Sequence, residues 1–322
     1  MTRVVVTGAA GFIGSHLSDA LVARGADVVG VDNFDAFYGR DAKERNLAAV
    51  RTSSRFEFHE LDVLDARALS ELMTRDGVVV HLAARAGVRQ SIADPAGYAR
   101  VNVVGTAAVA DAMRMAGATR LVFGSSSSVY GDATPVPFRE DAAAIDPVSP
   151  YGATKRSGEL LLQAAAPIYG LRVASLRFFT VFGPRQRPDL AIHAFARRIV
   201  AGEALTLFGD GTQARDYTYC DDIVAGILAA IDWTATAPPG IEHFNLGGDH
   251  PVALPDMVAE LERALGLPAR AEWLPMQPGD VQRTSADLTK SRTVLGYAPG
   301  TSFSDGMRRF VRWFRETHEL AN

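Results

Sequence analysis

The sequence predicts an α/β fold, a doubly wound parallel sheet with a smaller C-terminal α/β lobe. Three observations carry the prediction. Short β-branched runs alternate with stretches of helical periodicity through the first half of the chain. Those runs are apolar throughout instead of alternating with polar residues, as in strands covered by helices on both faces. After Arg177 the texture changes, because Pro184, Pro188, Gly209, Gly211 and Pro238-Pro239-Gly240 cut the chain into loops and short elements.

In order, the strands fall at Arg3–Thr7, Asp27–Asp32, Arg55–Leu61, Val78–Leu82, Arg120–Ser125 and Arg172–Arg177. Helices fill the intervals at about 12–23, 64–75, 95–116 and 151–169, with Gly25 and Gly170 placed as C-terminal caps. Farther on, a helix at about 221–232 and a strand at His243–Leu246 return to the main sheet, leaving helices at 254–265 and 304–318 for the smaller lobe. The expected division is 1–179 for the first domain, with about 216–247 returning to it, and 180–322 for the second.

Composition narrows the function. The 33 basic and 37 acidic residues leave a net charge of −4, too mild to call for nucleic acid or an anionic membrane. No apolar run has the length of a membrane span. A single cysteine, Cys220, excludes a disulfide framework, and the seven histidines show no ligand spacing, so no metal site is expected. With no leader ahead of the first strand, the expectation is a soluble cytoplasmic protein.

Gly8-Ala9-Ala10-Gly11-Phe12-Ile13-Gly14 follows a strand and opens a helix. Such glycines allow a tight turn and let backbone amides at the positive helix end approach a pyrophosphate, which makes the fold Rossmann-like. Asp32 ends the second strand, where a carboxylate takes both hydroxyls of an adenosine ribose and repels a 2′-phosphate. With Asn33 following it, NAD is favoured over NADP, although Arg40, Lys43 and Arg45 in the next loop pull the other way. Asp62 and Val63, after the third strand, are placed for the adenine.

Tyr151 and Lys155 stand one helical turn apart and share a face. A nearby ammonium and a cationic nicotinamide would favour the phenolate, making Tyr151 a general base near neutral pH. Ser126 would orient a sugar hydroxyl or relay its proton.

At these residues the chain resembles the extended short-chain dehydrogenase/reductase family, specifically its nucleotide-sugar epimerases. The resemblance runs almost end to end: Gly8–Gly14, His81-Leu82-Ala83-Ala84, Gly87-Val88-Arg89, Asn102–Thr106, Ser125–Gly131, Tyr151–Lys155, Arg177–Pro184, Arg187-Pro188-Asp189, Gly209-Asp210-Gly211, Arg215–Tyr219, Asp221-Asp222 and Met276–Val281. Within the family, Arg89, Arg177–Pro184, Arg187–Asp189 and Met276–Val281 look most like UDP-glucuronate 4-epimerases.

The resemblance implies Ser126, Tyr151 and Lys155 as the catalytic set. It adds Leu82, Ala83, Ala84 and Phe178 to the NAD site. Arg215 and Asp280 would hold the diphosphate and uridine ribose, Arg89 would lie near the phosphates, and Thr206, Phe208 and Gln213 around the uridine. The implied reaction oxidises the sugar at C4, turns the 4-keto sugar over and reduces it from the opposite face, with UDP-glucuronate and UDP-galacturonate as the pair.

A 4-keto uronate is a β-keto acid and loses carbon dioxide when the bond to its carboxylate stands perpendicular to the ketone plane. Arg187 offers a planar two-pronged grip on that carboxylate, and Thr180, Ser127 and Ser128 add hydroxyls. Similar decarboxylases and dehydratases place acids at the positions of Ser127 and Ser128, where this chain has none. The alternatives are a 4-epimerase of UDP-glucose or UDP-N-acetylglucosamine, a UDP-glucuronate decarboxylase, and a non-catalytic NAD-binding protein on the same fold. The resemblance also suggests a homodimer packed through the helices at about 95–116 and 151–169; Tyr98, Val101, Val104 and Ala108 on the first are compatible with a buried seam, and an intramolecular core would look alike.

Overall fold

A computed structural model describes residues 2–142, 146–275 and 281–319. Strands β1 (Arg3–Thr7), β2 (Asp27–Asp32), β3 (Phe56–Glu60), β4 (Val78–His81), β5 (Arg120–Ser126) and β6 (Arg172–Phe178) lie close to their predicted limits. Between them run α1 (Phe12–Ala23), α2 (Arg40–Leu47), α3 (Ala66–Glu71), α4 (Val88–Ala93), α5 (Pro95–Ala99), α6 (Gly105–Ala116) and α7 (Pro150–Tyr169). Then come β7 (Thr180–Phe182), α8 (Ala191–Val200), β8 (Leu205–Phe208), β9 (Ala214–Tyr219), α9 (Cys220–Trp233), β10 (Gly240–Leu246), β11 (Pro251–Ala253), α10 (Leu254–Leu265), β12 (Ala271–Leu274) and α11 (Phe303–Thr317).

Seven parallel strands form the main sheet in the order β3-β2-β1-β4-β5-β6-β10. Successive residues of one strand feed opposite faces, as the two-residue period of a strand requires. Val4 and Val6 pack with Leu17 and Leu21 of α1 and Ile223 and Ile227 of α9. Val5 packs on the other side with Leu69 of α3, Val109 and Met113 of α6, and Leu162 of α7. Each such side chain, removed from water, contributes about 1.5–3 kcal/mol. The strand order reverses between β1 and β4, and an open α/β sheet binds its ligands in the crevice at that point.

Two predicted helices come out differently. The helix expected at 64–75 is only α3, because Asp65 caps its start by accepting from the Ala68 amide and the turn Thr74–Gly77 follows. The helix expected at 95–116 is interrupted by a π-turn over Arg100–Val104. That turn carries Asn102, whose side chain accepts from the Arg85 amide (2.8 Å) and donates to the Arg85 carbonyl and the Thr154 hydroxyl (both 2.9 Å). A π-turn costs regular hydrogen bonding, and here it anchors a loop at the cavity mouth. Of the segment 216–247, α9 and β10 join the main sheet, whereas 216–219 belong to β9 in a small sheet of order β11-β9-β7. A further pair, β12 and β8, completes the C-terminal lobe.

Candidate active site

Three adjoining cavities of about 200, 390 and 330 Å³ open along the C-terminal ends of the main strands. The first, at the switch point, is lined by every residue expected to hold NAD: Gly8, Gly11, Phe12, Ile13, Gly14, Asp32, Asn33, Asp62, Val63, Leu82, Ala83, Ala84, Tyr151, Lys155 and Phe178. The glycines are there for close backbone approach. Gly8 takes φ +73°, and a Cβ on Gly14 would lie 2.1 Å from the Gly8 carbonyl oxygen. No side chain caps α1, so its first amides are left for an anion. Asp32 is buried and accepts from the Ala10 and Phe34 amides. Lys43 pairs with it at 3.2 Å, and Arg40 is turned to Glu60. The donors and the carboxylate fit an adenine dinucleotide with a free ribose.

The centre is built by α7 and β5. Ser149 caps α7 by accepting from the Gly152 amide at 3.1 Å, Pro150 occupies the first turn, and Gly170 closes the helix at φ +68°. Tyr151 and Lys155 therefore sit in the first turns, facing the end of β5. The Ser126 hydroxyl bears on the Tyr151 phenol, favouring its ionised form, and accepts from the Ser128 amide at 3.1 Å. The Lys155 ammonium donates to the Gly124 carbonyl at 2.7 Å.

Here the electrostatics differ from the sequence expectation. Burial raises the Tyr151 phenol above its ordinary value, opposed by the Ser126 hydrogen bond and the Arg187 charge. Burial lowers the pKa of Lys155 itself to about 8, opposed by Glu159. The cation that acts on Tyr151 is Arg187.

Beneath this centre lies a charged network that the sequence reading missed. Glu159, one turn past Lys155, accepts two bonds from Arg177, at 2.9 and 3.0 Å, and both side chains are wholly buried. Ser125 donates to Glu159 at 2.7 Å and Arg156 at 2.9 Å. The Arg177 guanidinium lies over the Tyr130 ring, whose hydroxyl donates to Asn245. The i to i+4 spacing of Lys155 and Glu159 was the available signal; the partner on β6 was not readable from spacing.

The third cavity brings together Ser126, Ser127, Ser128, Tyr151, Thr180, Arg187 and Arg215. No acidic side chain is among its described lining residues. The second cavity is lined by Arg89, Thr180, Arg187, Thr206, Phe208, Gln213 and Arg215, with Asp189 and Tyr217 not foreseen. The Arg89 guanidinium covers the Phe208 ring at 4.7 Å, Gln213 donates to the Phe208 carbonyl at 2.9 Å, and the Thr206 hydroxyl accepts from Arg198 at 3.1 Å. Asp280, expected at the uridine ribose, lies outside the described residues.

Arg187 needs a correction. Its Nε and Nη2 are taken by Asp189, at 2.9 and 2.8 Å, so the edge best suited to a two-pronged grip already holds a carboxylate of the protein. Its neighbour Arg185 is turned away and donates to Asp19 of α1 at 2.7 Å. Tyr98, which the sequence left open between a dimer seam and an intramolecular core, is buried inside the chain and donates to the Ala86 carbonyl at 3.1 Å. Cys220 is buried against Gly183, with its thiol pushed up by burial. Its sulfur, His16 and Asp221 approach within 4.8 Å, a grouping that no sequence spacing suggests. Among the described residues, no helix is long and apolar enough to cross a membrane.

The comparisons agree with this geometry. Residues 4–247 match the NAD dependent epimerase/dehydratase family, and the chain belongs to it. It is 39% identical to the UDP-glucuronate 4-epimerase of Thermodesulfobacterium geofontis, over 99% of this chain and 98% of that protein. It is 41% identical to UDP-glucuronate 4-epimerase 3 of Arabidopsis thaliana, over 97% of this chain and 76% of that protein. Its fold superposes on the UDP-glucuronic acid 4-epimerase of Bacillus cereus, solved with UDP-glucuronic acid and NAD, at a TM-score of 0.92 and 38% identity, covering 98% of this chain and 100% of that one.

Proposed function

We infer that this protein interconverts UDP-glucuronate and UDP-galacturonate by epimerisation at C4. The observation that carries the reading is the third cavity. The Ser126–Tyr151 pair faces the same space as Thr180 and Arg187, and no acidic side chain is among its described lining residues. NAD, held by Gly8–Gly14, Asp32, Asn33, Asp62, Val63 and Leu82–Ala84, supplies a reversible hydride acceptor. Tyr151 takes the proton of the C4 hydroxyl and later returns it, while Ser126 orients that hydroxyl. Lys155 holds its charge beneath them, bonded to the β5 carbonyl of Gly124.

The UDP is held in the second cavity, with Arg215 and Arg89 on the phosphates and Thr206, Phe208 and Gln213 at the uridine. Asp280 completes the ribose contacts, as the sequence resemblance implies. With the nucleotide fixed, the oxidised sugar can turn over between the two hydride transfers. Thr180, Ser127, Ser128 and the free side of Arg187 keep its carboxylate out of line with the ketone π system. The absence of an acid among the described lining residues fits epimerisation better than decarboxylation.

The protein acts as a homodimer in the cytoplasm. The π-turn before α6 and the outer face of α7 support pairing: Val104 (55% exposed), Leu160 (50%) and Ile168 (74%) stand apolar towards solvent. The single cysteine, held as a buried thiol, suits a reducing compartment.

Proton NMR of UDP-glucuronate incubated with the protein and NAD tests the activity. UDP-galacturonate as the sole new sugar is the expected product. A pentose product would overturn the reading of the carboxylate restraint, and inertness towards the uronate with turnover of UDP-glucose would overturn the substrate.

A further inference from the structure

We propose that Asp189 is a positioning residue for uronate selectivity: it fixes Arg187 so that the guanidinium serves the sugar carboxylate and not the phosphates on either side. The proposal deepens the epimerase reading and rests on it.

Arg187 lines all three cavities. With ligands placed as proposed, one guanidinium is within reach of three anions: the cofactor pyrophosphate, the UDP diphosphate and the sugar carboxylate. A free arginine side chain has many rotamers and would follow the strongest charge, which is a diphosphate. The structure removes that freedom. Asp189 grips Nε and Nη2 through both carboxylate oxygens, Nη2 also donates to the Ala86 carbonyl at 3.3 Å, and the Phe37 ring lies 5.3 Å beneath the guanidinium. Nη1 has no hydrogen-bond partner among the described residues.

The local backbone makes the grip rigid. Pro188 separates the two partners and fixes its own φ, and the Leu190 amide closes the turn on the Arg187 carbonyl at 3.2 Å. Asp189 lines the second cavity and is absent from the third. Its carboxylate therefore stands on the nucleotide side of Arg187, where it repels phosphate, and leaves the opposite side of the guanidinium for the sugar. Selectivity arises from an internal carboxylate that withholds Arg187 from the wrong anions.

The test compares affinities of NAD-loaded protein for UDP-glucuronate, UDP-glucose and UDP by calorimetry. It uses the Tyr151→Phe background, so that ligands are not turned over, with Asp189→Ala and Asp189→Asn added separately. Asp189→Ala should weaken UDP-glucuronate about tenfold, the scale of one hydrogen bond to a charged group, while UDP and UDP-glucose, no longer facing the carboxylate, hold their affinity or bind more tightly. Asp189→Asn keeps one acceptor for the guanidinium and should recover part of the loss.

An equal loss for all three ligands would mean a purely structural role and overturn the proposal. Tighter uronate binding in both variants would make Asp189 a competitor and overturn it equally. Turnover of UDP-glucuronate, followed by NMR with Tyr151 intact, judges the epimerase reading separately. Selectivity that depends on Asp189 in a protein without turnover would leave this inference standing and remove the other.

Discussion

Replacing Glu159 by Gln keeps the shape of the side chain and removes its charge, leaving the Arg177 guanidinium buried without a counter-ion. Removing one member of a buried pair costs about 3–5 kcal/mol. The pairing gives a second measure. Arg177 and the Ser125 hydroxyl outweigh burial and pull the Glu159 carboxyl from its ordinary 4.5 down to about 2. At about 1.4 kcal/mol per pH unit, that is about 3 kcal/mol in favour of the folded state.

With an unfolding entropy of about 2.1 cal/mol/K per residue over 322 residues, about 3 kcal/mol lowers Tm by about 4–5 °C. The sign with pH follows from the lowered pKa. The contribution is complete above the unfolded value of about 4.5 and is lost as pH falls towards about 2, with about half remaining at pH 3. Scanning calorimetry of wild type and Glu159→Gln at pH 7, 5 and 3 should show a gap of several degrees that narrows at the lowest pH. A gap under 1 °C at pH 7, or one that does not narrow on acidification, would refute the assignment of this pair as a main support beneath the centre.

Tyr151→Phe should lower turnover of UDP-glucuronate by about 10²–10⁴-fold, the range for a general acid–base group, with NAD still bound by absorbance. Near-normal turnover would remove Tyr151 from the base role. Lys155 loses its charge as pH rises through about 8, so turnover should fall on the alkaline side from that pH; Lys155→Arg, charged throughout, should carry the plateau beyond pH 10. Gly14→Ala forces a Cβ against the Gly8 carbonyl and should abolish the thermal stabilisation given by NAD; an unchanged NAD shift would place the pyrophosphate elsewhere. Leu160→Glu with Ile168→Glu places two charges on the exposed face of α7 and should halve the mass seen by light scattering, whereas an unchanged mass would put the dimer contact on another face.

Much of the site was legible because its signals are local. The glycine turn, the residue ending β2 and the Tyr151–Lys155 spacing each depend on a few consecutive residues whose backbone geometry follows from their chemistry. All the residues expected around NAD fall on one cavity for that reason. The interruption of the 95–116 helix was hidden, since the π-turn is held by Asn102 bonding to Arg85, a partner on a separate loop that no local period announces. The true environment of Tyr151 was hidden as well. The sequence put an ammonium four residues away, and the fold turned that ammonium to a carbonyl and brought Arg187 from 36 residues on.

The sequence by itself determined the parallel sheet, the dinucleotide turn and the placing of Tyr151 and Lys155 on one helix face, because strand period, glycine sterics and helical spacing act over short range. The tertiary structure alone decided which charges meet. Arg177 on Glu159, Arg187 on Asp189 and Arg185 on Asp19 are choices among many possible pairs in a chain with 33 basic and 37 acidic residues. A side chain can reach several partners of opposite charge, and only packing fixes the distances and the burial that make one pairing stronger than the rest.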